Sequence, residues 1–273
     1  MRQLSIRETQ EVSLEILKQV ADICEKEGFR YYLIYGTLIG AIRHKGYIPW
    51  DDDVDIMMPR ADYEKFLSYF KKHKSEYKHL KLFNRDTCKK YPYMISRVSD
   101  DRYMIDMENE DNYGMGVFVD IYPYDGLGQT KEEALKFGLK GDRLSSLCYQ
   151  ATRQRYAVEN TKSTLRKILK FPVFFMAKLM GKDFFQRKLK ESAGLKSFDD
   201  NKYVGCFVWL SGGMKDIYKR EWFDDYVVVP YEKYEFRVPA RYHEVLKHCY
   251  GDYMKLPPEN ERIGHHYYKV YEK

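Results

Sequence analysis

The chain has 273 residues, of which 44% are hydrophobic, and its formal net charge is +6. This hydrophobic content excludes a disordered protein and is sufficient for a sizeable core, in one domain or in a core with an appendage. The charge is modest for the length and the basic residues lie between acidic ones, so no nucleic-acid partner is predicted.

Five cysteines are scattered through the chain, and no two of them form a CxxC pair. Free cysteine is often buried, so each is interpreted as a core residue. The first residues lack the apolar stretch of a secretory signal. A cytoplasmic protein is therefore expected.

The first predicted elements are a helix, a strand and a second helix. Residues 13–24 place apolar side chains at helical spacing, and the aromatic run 31–35 predicts a buried strand. Gly36 and Thr37 separate this strand from a helix-like segment at residues 38–42. Thr37 is expected to be the N-cap, where Gly36 would let the backbone approach a phosphate.

An acidic segment follows at Asp51, Asp52, Asp53 and Asp55. If residues 51–58 form a strand, the two-residue period sends Asp51, Asp53 and Asp55 to one face and Asp52 to the other. Oxygen ligands without a nearby cysteine suit Mg²⁺ or Mn²⁺, and Mg²⁺ is usually held together with substrate phosphates. A solvated acidic turn and a loose calcium loop are the alternatives.

Charged and aromatic residues precede this acidic segment. Arg43, His44 and Lys45 form a cation cluster of the kind that a pyrophosphate requires, although Lys45 is also interpretable as a surface charge. Trp50 adjoins the acids directly. These four residues are candidates for binding the substrate.

The middle of the chain predicts a helix at 61–70 and strands at 80–83, 93–98, 103–107 and 117–121. Asp120 lies between Val119 and Ile121 in the last of these strands. A buried carboxylate there needs a partner, and a metal ion would supply one. The alternative is a carboxylate that caps a turn before Pro123.

The second half is predicted to be largely helical as far as about residue 190. Thr130 and Glu133 form a capping-box pattern at its start. Residues 165–182 contain an apolar stretch too short to cross a bilayer, with lysines and aromatic residues beside it. A core helix is favoured there, and a helix on a membrane surface is the alternative. Strands at 226–229 and 234–238 precede a helix that Gly251 is expected to end.

The order of strand, Gly-Thr turn, short helix, basic loop and acidic strand resembles the nucleotidyltransferase superfamily. Residues 35–55, YGTLIGAIRHKGYIPWDDDVD, resemble the LicD family of phosphocholine transferases, which is related to the fukutin-type ribitol-phosphate transferases. Two further segments, FVDIYPYDG at 118–126 and YGDYMKLPP at 250–258, carry the same resemblance. Residues from about 130 to 226 match no motif of this family.

The resemblance implies an α+β fold with a nucleotidyltransferase-like mixed sheet flanked by helices. One domain of residues 1–273 is expected, with the catalytic core at about 1–128 and mainly helical decoration at about 129–273. The resemblance also implies that Asp53, Asp55 and Asp120 bind Mg²⁺ or Mn²⁺. Asp51 would be a further ligand or the base, and Gly36 and Thr37 would contact the nucleotide phosphates.

By this resemblance, the protein transfers phosphocholine from CDP-choline to a sugar hydroxyl of a surface glycan, such as a teichoic acid precursor, and releases CMP. The acceptor would be a glycan or a lipid-linked precursor, which makes contact with the inner membrane surface more attractive. The alternatives are transfer from another CDP-alcohol, nucleotidyl transfer from NTP, and a choline- or glycan-binding module without catalysis. The metal chemistry alone would serve both transfer from a CDP-alcohol and transfer from NTP, and the preference for the first rests on the resemblance of residues 43–53, RHKGYIPWDDD.

Choline is a quaternary ammonium ion, which proteins usually recognise with aromatic faces. Trp50, Tyr122, Tyr124 and Trp209 are the candidates for this pocket. Simple core packing is the alternative for each. A last set of candidates, Arg262, His265 and His266, follows the Pro257-Pro258 break and would bind phosphate or act as an acid.

Overall fold

The computed structural model of the chain describes residues 1–107, 110–156, 164–210, 213–262 and 268–273, with no side-chain description for 164–169. Its helices are α1 Ile6–Glu27, α2 Tyr35–Ile39, α3 Arg60–Lys72, α4 Lys131–Thr152, α5 Thr164–Met180, α6 Lys182–Ser192 and α7 Tyr242–Tyr250, and a π-helical turn, Gly40–His44, continues α2. Its strands are β1 Arg2–Gln3, β2 Tyr32–Leu33, β3 Asp55–Pro59, β4 Leu80–Phe83, β5 Ser96–Asp100, β6 Tyr103–Met107, β7 Phe118–Gly128, β8 Tyr203–Gly205, β9 Tyr218–Lys219, β10 Tyr226–Tyr231, β11 Tyr234–Pro239 and β12 Tyr268–Glu272.

The central sheet is mixed and has the order β2-β3-β7-β5-β4, with β8 and β9 added beside the later part of β7. Strands β3 and β7 are parallel, whereas the other pairs of this sheet are antiparallel. The hairpin β10–β11 and the sheet β1-β12-β6 are separate. The predicted α+β class is confirmed.

Helix α1 begins earlier than the predicted start at Ser13. Ser5 is its N-cap and forms a complete capping box with Glu8, and Gly28 ends the helix in the left-handed conformation at φ +71°. These signals were present in the sequence but lie outside the apolar stripe on which the prediction rested. The buried face of α1 matches that stripe.

Two local predictions around the acidic segment are wrong. Helix α2 starts at Tyr35 after an Ile34 N-cap, so Thr37 lies inside the helix and does not cap it. Strand β3 starts only at Asp55, and Asp51 to Asp53 precede it in an irregular loop. Three of the four acids therefore belong to a loop and only Asp55 to the strand.

The second half of the chain contributes both helices and strands. Thr130 caps α4 as predicted, and its hydroxyl accepts a hydrogen bond from the Glu133 backbone N–H. Helices α5 and α6 pack against α4. Strand β8 pairs with β7, and β12 pairs with β6, so residues beyond 128 extend the sheets of the first half.

Helix α5 is not the core helix that the sequence favoured. Ala177 is buried and Phe174 is half-buried, but most of its apolar side chains between residues 171 and 180 are exposed. In the part of the chain that the structure describes, no helix is both long enough and apolar enough to cross a membrane.

Candidate active site

A cavity of about 1000 Å³ contains the predicted acidic residues Asp51, Asp53, Asp55 and Asp120 in its lining. Asp55 begins β3, and Asp120 lies directly opposite it on the parallel strand β7. Asp51 and Asp53 enter from the preceding loop. The sheet register and this loop together bring four carboxylates to one surface.

The loop does not separate Asp52 from Asp51 and Asp53 as the predicted strand would. Asp52 is not among the residues that line the cavity, as the strand model predicted, although its backbone is not a strand. The loop is held by its carbonyl groups: the Gln10 side chain donates to the Asp51 carbonyl at 2.7 Å, and the Tyr268 hydroxyl donates to the Asp52 carbonyl at 3.5 Å. Carboxylate oxygens of Asp51, Asp52 and Asp53 nevertheless all lie within 4.8 Å of one another.

Gly36 and Thr37 position the acids from the neighbouring helix. A Cβ atom on Gly36 would lie 2.7 Å from Oδ2 of Asp51, so only glycine leaves room for that carboxylate. The Thr37 hydroxyl accepts a hydrogen bond from the Asp55 backbone N–H at 2.9 Å, which ties α2 to the first residue of β3. Gly36 lines the cavity, whereas Thr37 is buried behind it.

Tyr35 forms the sharp turn between β2 and this helix. Its φ of +53° lies in the left-handed region, which is costly for a residue with a side chain. The Tyr35 hydroxyl accepts a hydrogen bond from the Tyr124 hydroxyl at 3.1 Å, and its ring packs edge-on against Tyr122. The strained turn that presents Gly36 is therefore held by buried aromatic contacts.

Asp55 has the electrostatics of a residue that needs a cation. It is buried, and its Oδ1 atom has no hydrogen-bond partner among the residues that the structure describes. Burial, together with the carboxylates of Asp53, Asp120 and Asp51, raises the pKa of Asp55 well above its ordinary value. A hard divalent cation would relieve both the missing partner and the repulsion, so the donor set fits Mg²⁺ or Mn²⁺.

Asp120 already has a partner that the sequence did not predict. Arg97 on β5 is the residue opposite Asp120 in the antiparallel pairing, and its Nε atom donates to Asp120 Oδ1 at 2.6 Å. Its guanidinium also lies over the rings of Phe118 and Tyr93, at 4.1 and 4.8 Å from their centroids. Burial lowers the pKa of Arg97, but the negative charge of Asp120 opposes this effect, and the pKa lies well above its ordinary value. The guanidinium therefore stays charged.

The basic cluster lies beside the cavity. Of the residues that the structure describes, the lining does not include Arg43, His44 or Lys45. The Arg43 side chain donates to the Tyr253 carbonyl at 2.8 Å and to the His44 ring at 2.9 Å. The nucleotide contacts expected of these three residues remain a prediction.

Most of the aromatic candidates reach the cavity. Trp50, Tyr122 and Trp209 line it, whereas Tyr124 is fully buried and packs on Tyr218. Arg262 lies over the Trp50 ring at 5.8 Å from its centroid. His265 and His266 lie outside the described residues.

Helix α4 forms a wall of the cavity that sequence reasoning did not find. Its contribution is a helical stripe of mainly polar side chains, Asp142, Ser145, Ser146 and Tyr149, which Arg153 at the C-cap continues. Arg153 donates to Glu110 at 3.0 Å, and the Tyr93 hydroxyl donates to the same carboxylate. The spacing of the stripe was readable as one helix face, but nothing local marked that face as cavity-lining.

Comparison with known proteins identifies the family of the chain. The family model described as LicD/FKTN/FKRP, nucleotidyltransferase domain, matches residues 28–143. The lipopolysaccharide cholinephosphotransferase LicD of Haemophilus influenzae is 33% identical over 273 residues, which cover 99% of each chain. This chain belongs to the LicD family. The human ribitol 5-phosphate transferase FKRP is 48% identical over 42 residues, or 15% of this chain and 8% of that protein.

The LicD family model covers part of the cavity lining. The residues matched by the LicD family model include all four acids, Gly36 and Arg97. The α4 stripe lies partly beyond residue 143, where the similarity to the Haemophilus protein continues. The four acids therefore lie within the residues that the family model matches, whereas the α4 stripe continues beyond residue 143.

Proposed function

We propose that this LicD-family phosphotransferase moves phosphocholine from CDP-choline to a sugar hydroxyl of a cell-surface glycan precursor, such as a teichoic acid precursor, and releases CMP. The observation that carries the proposal is the buried Asp55 Oδ1, which has no hydrogen-bond partner in the described part of the chain and lies among three further carboxylates in a large cavity. The full-length similarity to a lipopolysaccharide cholinephosphotransferase supports the choice of transferred group. We place the proposed reaction in the cytoplasm.

Asp53, Asp55 and Asp120 would hold Mg²⁺ or Mn²⁺, which would supply positive charge to phosphate oxygens. The acceptor hydroxyl oxygen forms a bond to the phosphorus next to choline, and the bond from this phosphorus to the CMP oxygen breaks. CMP leaves with that electron pair, and the hydroxyl proton passes to a carboxylate. Asp51 is the base in this scheme because it lines the cavity beside the proposed ligands.

Other residues of the chain prepare this geometry. Arg97 fixes the orientation of Asp120, and Thr37 fixes the start of β3. Gly36 admits the Asp51 carboxylate. These contacts exist before substrate binds, so little reorganisation is required when the phosphates enter.

Aromatic side chains in the cavity would bind the trimethylammonium group of the donor. Trp50, Tyr122 and Trp209 line the cavity, and Trp50 immediately precedes the acidic loop in the chain. A quaternary ammonium donates no hydrogen bonds, so aromatic faces and nearby carboxylates suit it. Trp50→Ala is therefore expected to raise KM for CDP-choline more than it lowers kcat, and Trp50→Phe is the conservative control.

The test is phosphorus NMR of the full chain with Mg²⁺ and CDP-choline, with and without a lipid-linked glycan precursor. Acceptor-dependent CMP release and a new phosphodiester, both lost with EDTA, are expected. Asp53→Asn should abolish this turnover. Asp86→Asn is the matched control and should keep it, because Asp86 is exposed and does not line the cavity.

Other outcomes identify the alternatives. Turnover of CDP-ribitol or CDP-glycerol, with none of CDP-choline, would keep the site but replace the donor. Pyrophosphate release from an NTP would indicate a nucleotidyltransferase. Choline or glycan binding without any turnover would overturn catalysis.

A further inference from the structure

Helix α5 exposes a large apolar surface to solvent. Leu179 is 73% exposed, Phe175 is 55% exposed and Phe171 is 52% exposed, and these three residues lie at a spacing of four along the helix. Val173, Met176 and Met180 on the same helix are between 41% and 50% exposed. Contiguous exposed apolar surface of this kind marks an interaction site.

The helix is nevertheless held by the rest of the fold. It packs against α4 and α6, with Ala177 fully buried and Phe174 half-buried on the inward side. The Tyr156 ring contacts Phe171 and Phe174 at centroid distances of 5.3 and 5.0 Å. The outward apolar residues are therefore presented on a packed helix.

The segment around this helix carries the basic charge of the protein. Residues 131–192 contain 15 Lys and Arg but 6 Asp and Glu, a formal charge of +9, whereas the remainder contains 32 basic and 35 acidic residues, a charge of −3. This asymmetry is hidden in the overall charge of +6. An anionic partner would be attracted to residues 131–192 in preference to the remainder.

Exposed cations accompany the apolar residues on these helices. Lys170 and Lys178 are exposed on α5 itself. A separate groove of about 630 Å³ between α4 and α6 is lined by Lys136, Lys140, Arg143 and Lys188 together with two leucines. Aromatic and aliphatic side chains flanked by lysines are typical of helices that lie in the interface of a bilayer.

We propose that α5 docks the protein onto the surface of a bilayer that contains anionic phospholipids, with its outward apolar side chains in the interface. The helix spans 17 residues and carries lysines within its apolar stretch, so it lies along the surface. A symmetric dimer through the same face would bring two segments of charge +9 together, which disfavours a second copy as the occupant. The inference does not depend on the proposed reaction.

The experiment is co-sedimentation of the full chain with vesicles of pure phosphatidylcholine and with vesicles of equal parts phosphatidylcholine and phosphatidylglycerol. The test variant carries Phe175→Ser, Met176→Ser and Leu179→Ser, which leaves the Phe171 ring against Tyr156. The matched control carries Leu195→Ser, Val228→Ser and Met254→Ser, which replace three apolar residues of similar exposure elsewhere, at 70%, 54% and 54%. Wild type and control should bind the anionic vesicles, and the test variant should partition roughly 100-fold less.

A second variant separates the charge from the apolar contact. Lys136→Gln with Arg143→Gln should weaken binding to the anionic vesicles by about fivefold for each charge that lies near the surface, and added salt should reduce this difference. Its binding to pure phosphatidylcholine should stay at the wild-type level.

Three results would overturn the inference. The wild-type protein could bind neither kind of vesicle, or the test variant could bind them as well as wild type does. The third result is that the wild-type protein is a dimer and the test variant is a monomer. With a soluble acceptor the test variant should turn over at the wild-type rate, since no residue of α5 lines the cavity within the described part of the chain. Failure of the membrane inference is thereby distinguished from failure of the proposed reaction.

Discussion

Replacing Asp55 with Asn should make the metal-free protein more stable while removing its activity. The substitution keeps the size of the side chain but removes the charge of a buried carboxylate whose pKa is raised by burial and by three neighbouring acids. Asparagine leaves a polar atom at the same buried position, so only the cost of the charge is relieved, about 1.4 kcal/mol for each unit by which folding raises the pKa. In EDTA we therefore expect the free energy of unfolding to rise by about 1–3 kcal/mol.

In the presence of a divalent metal ion, wild type should be more stable than Asp55→Asn. A ligand that binds only the folded state stabilises it by about 2.7 kcal/mol at roughly 100 times its Kd. Wild type should gain this stability on addition of Mg²⁺, and Asp55→Asn should gain little. Catalysis should fall by several orders of magnitude in the variant, because a proposed metal ligand is lost.

The assay is urea unfolding followed by circular dichroism, in EDTA and in Mg²⁺, with turnover measured on the same samples. Asp86→Asn, an exposed carboxylate outside the cavity, is the control, and it should respond to Mg²⁺ as wild type does. A variant at Asp55 that is less stable than wild type in EDTA would show that the carboxylate has a stabilising partner. An equal gain from Mg²⁺ in Asp55→Asn and wild type would refute its role as a ligand.

Three further predictions follow from contacts around the acids. Thr37→Val removes the acceptor for the first backbone N–H of β3 and should cost about 1–3 kcal/mol in urea unfolding, whereas Thr37→Ser should be close to wild type. Gly36→Ala forces the Asp51 carboxylate away and should lower kcat/KM by about tenfold or more. In an Asp51→Ala background the same substitution should lower kcat/KM little further. Fully additive effects of the two substitutions would exclude the steric explanation. Arg97→Met leaves Asp120 buried without its ion partner and should cost about 3–5 kcal/mol, and Asp120→Asn in the same chain should recover part of that loss if the charge is the cause.

Local patterns predicted much of the secondary structure. The buried face of α1, the Thr130 cap of α4 and most of the strands were readable because apolar period and capping are properties of neighbouring residues. Errors occurred where the pattern was ambiguous. The alternating acids predicted a strand from Asp51, but that stretch is a loop held by side chains from distant segments.

The exposure of α5 is a different kind of error. An apolar helical stretch has the same sequence pattern whether it packs in a core or faces a bilayer surface. Which side chains are covered depends on how α4 and α6 pack against it. The pattern therefore predicted the helix correctly and its environment wrongly.

By itself, the sequence determined the family resemblance and the identity of the acidic residues, because both reside in short contiguous motifs. Only the tertiary structure placed Asp120 opposite Asp55 on one strand and opposite Arg97 on the other, and turned a stripe of α4 toward them. The physical reason is that sheet order and helix packing are set by contacts between segments far apart in the chain, which no local period encodes.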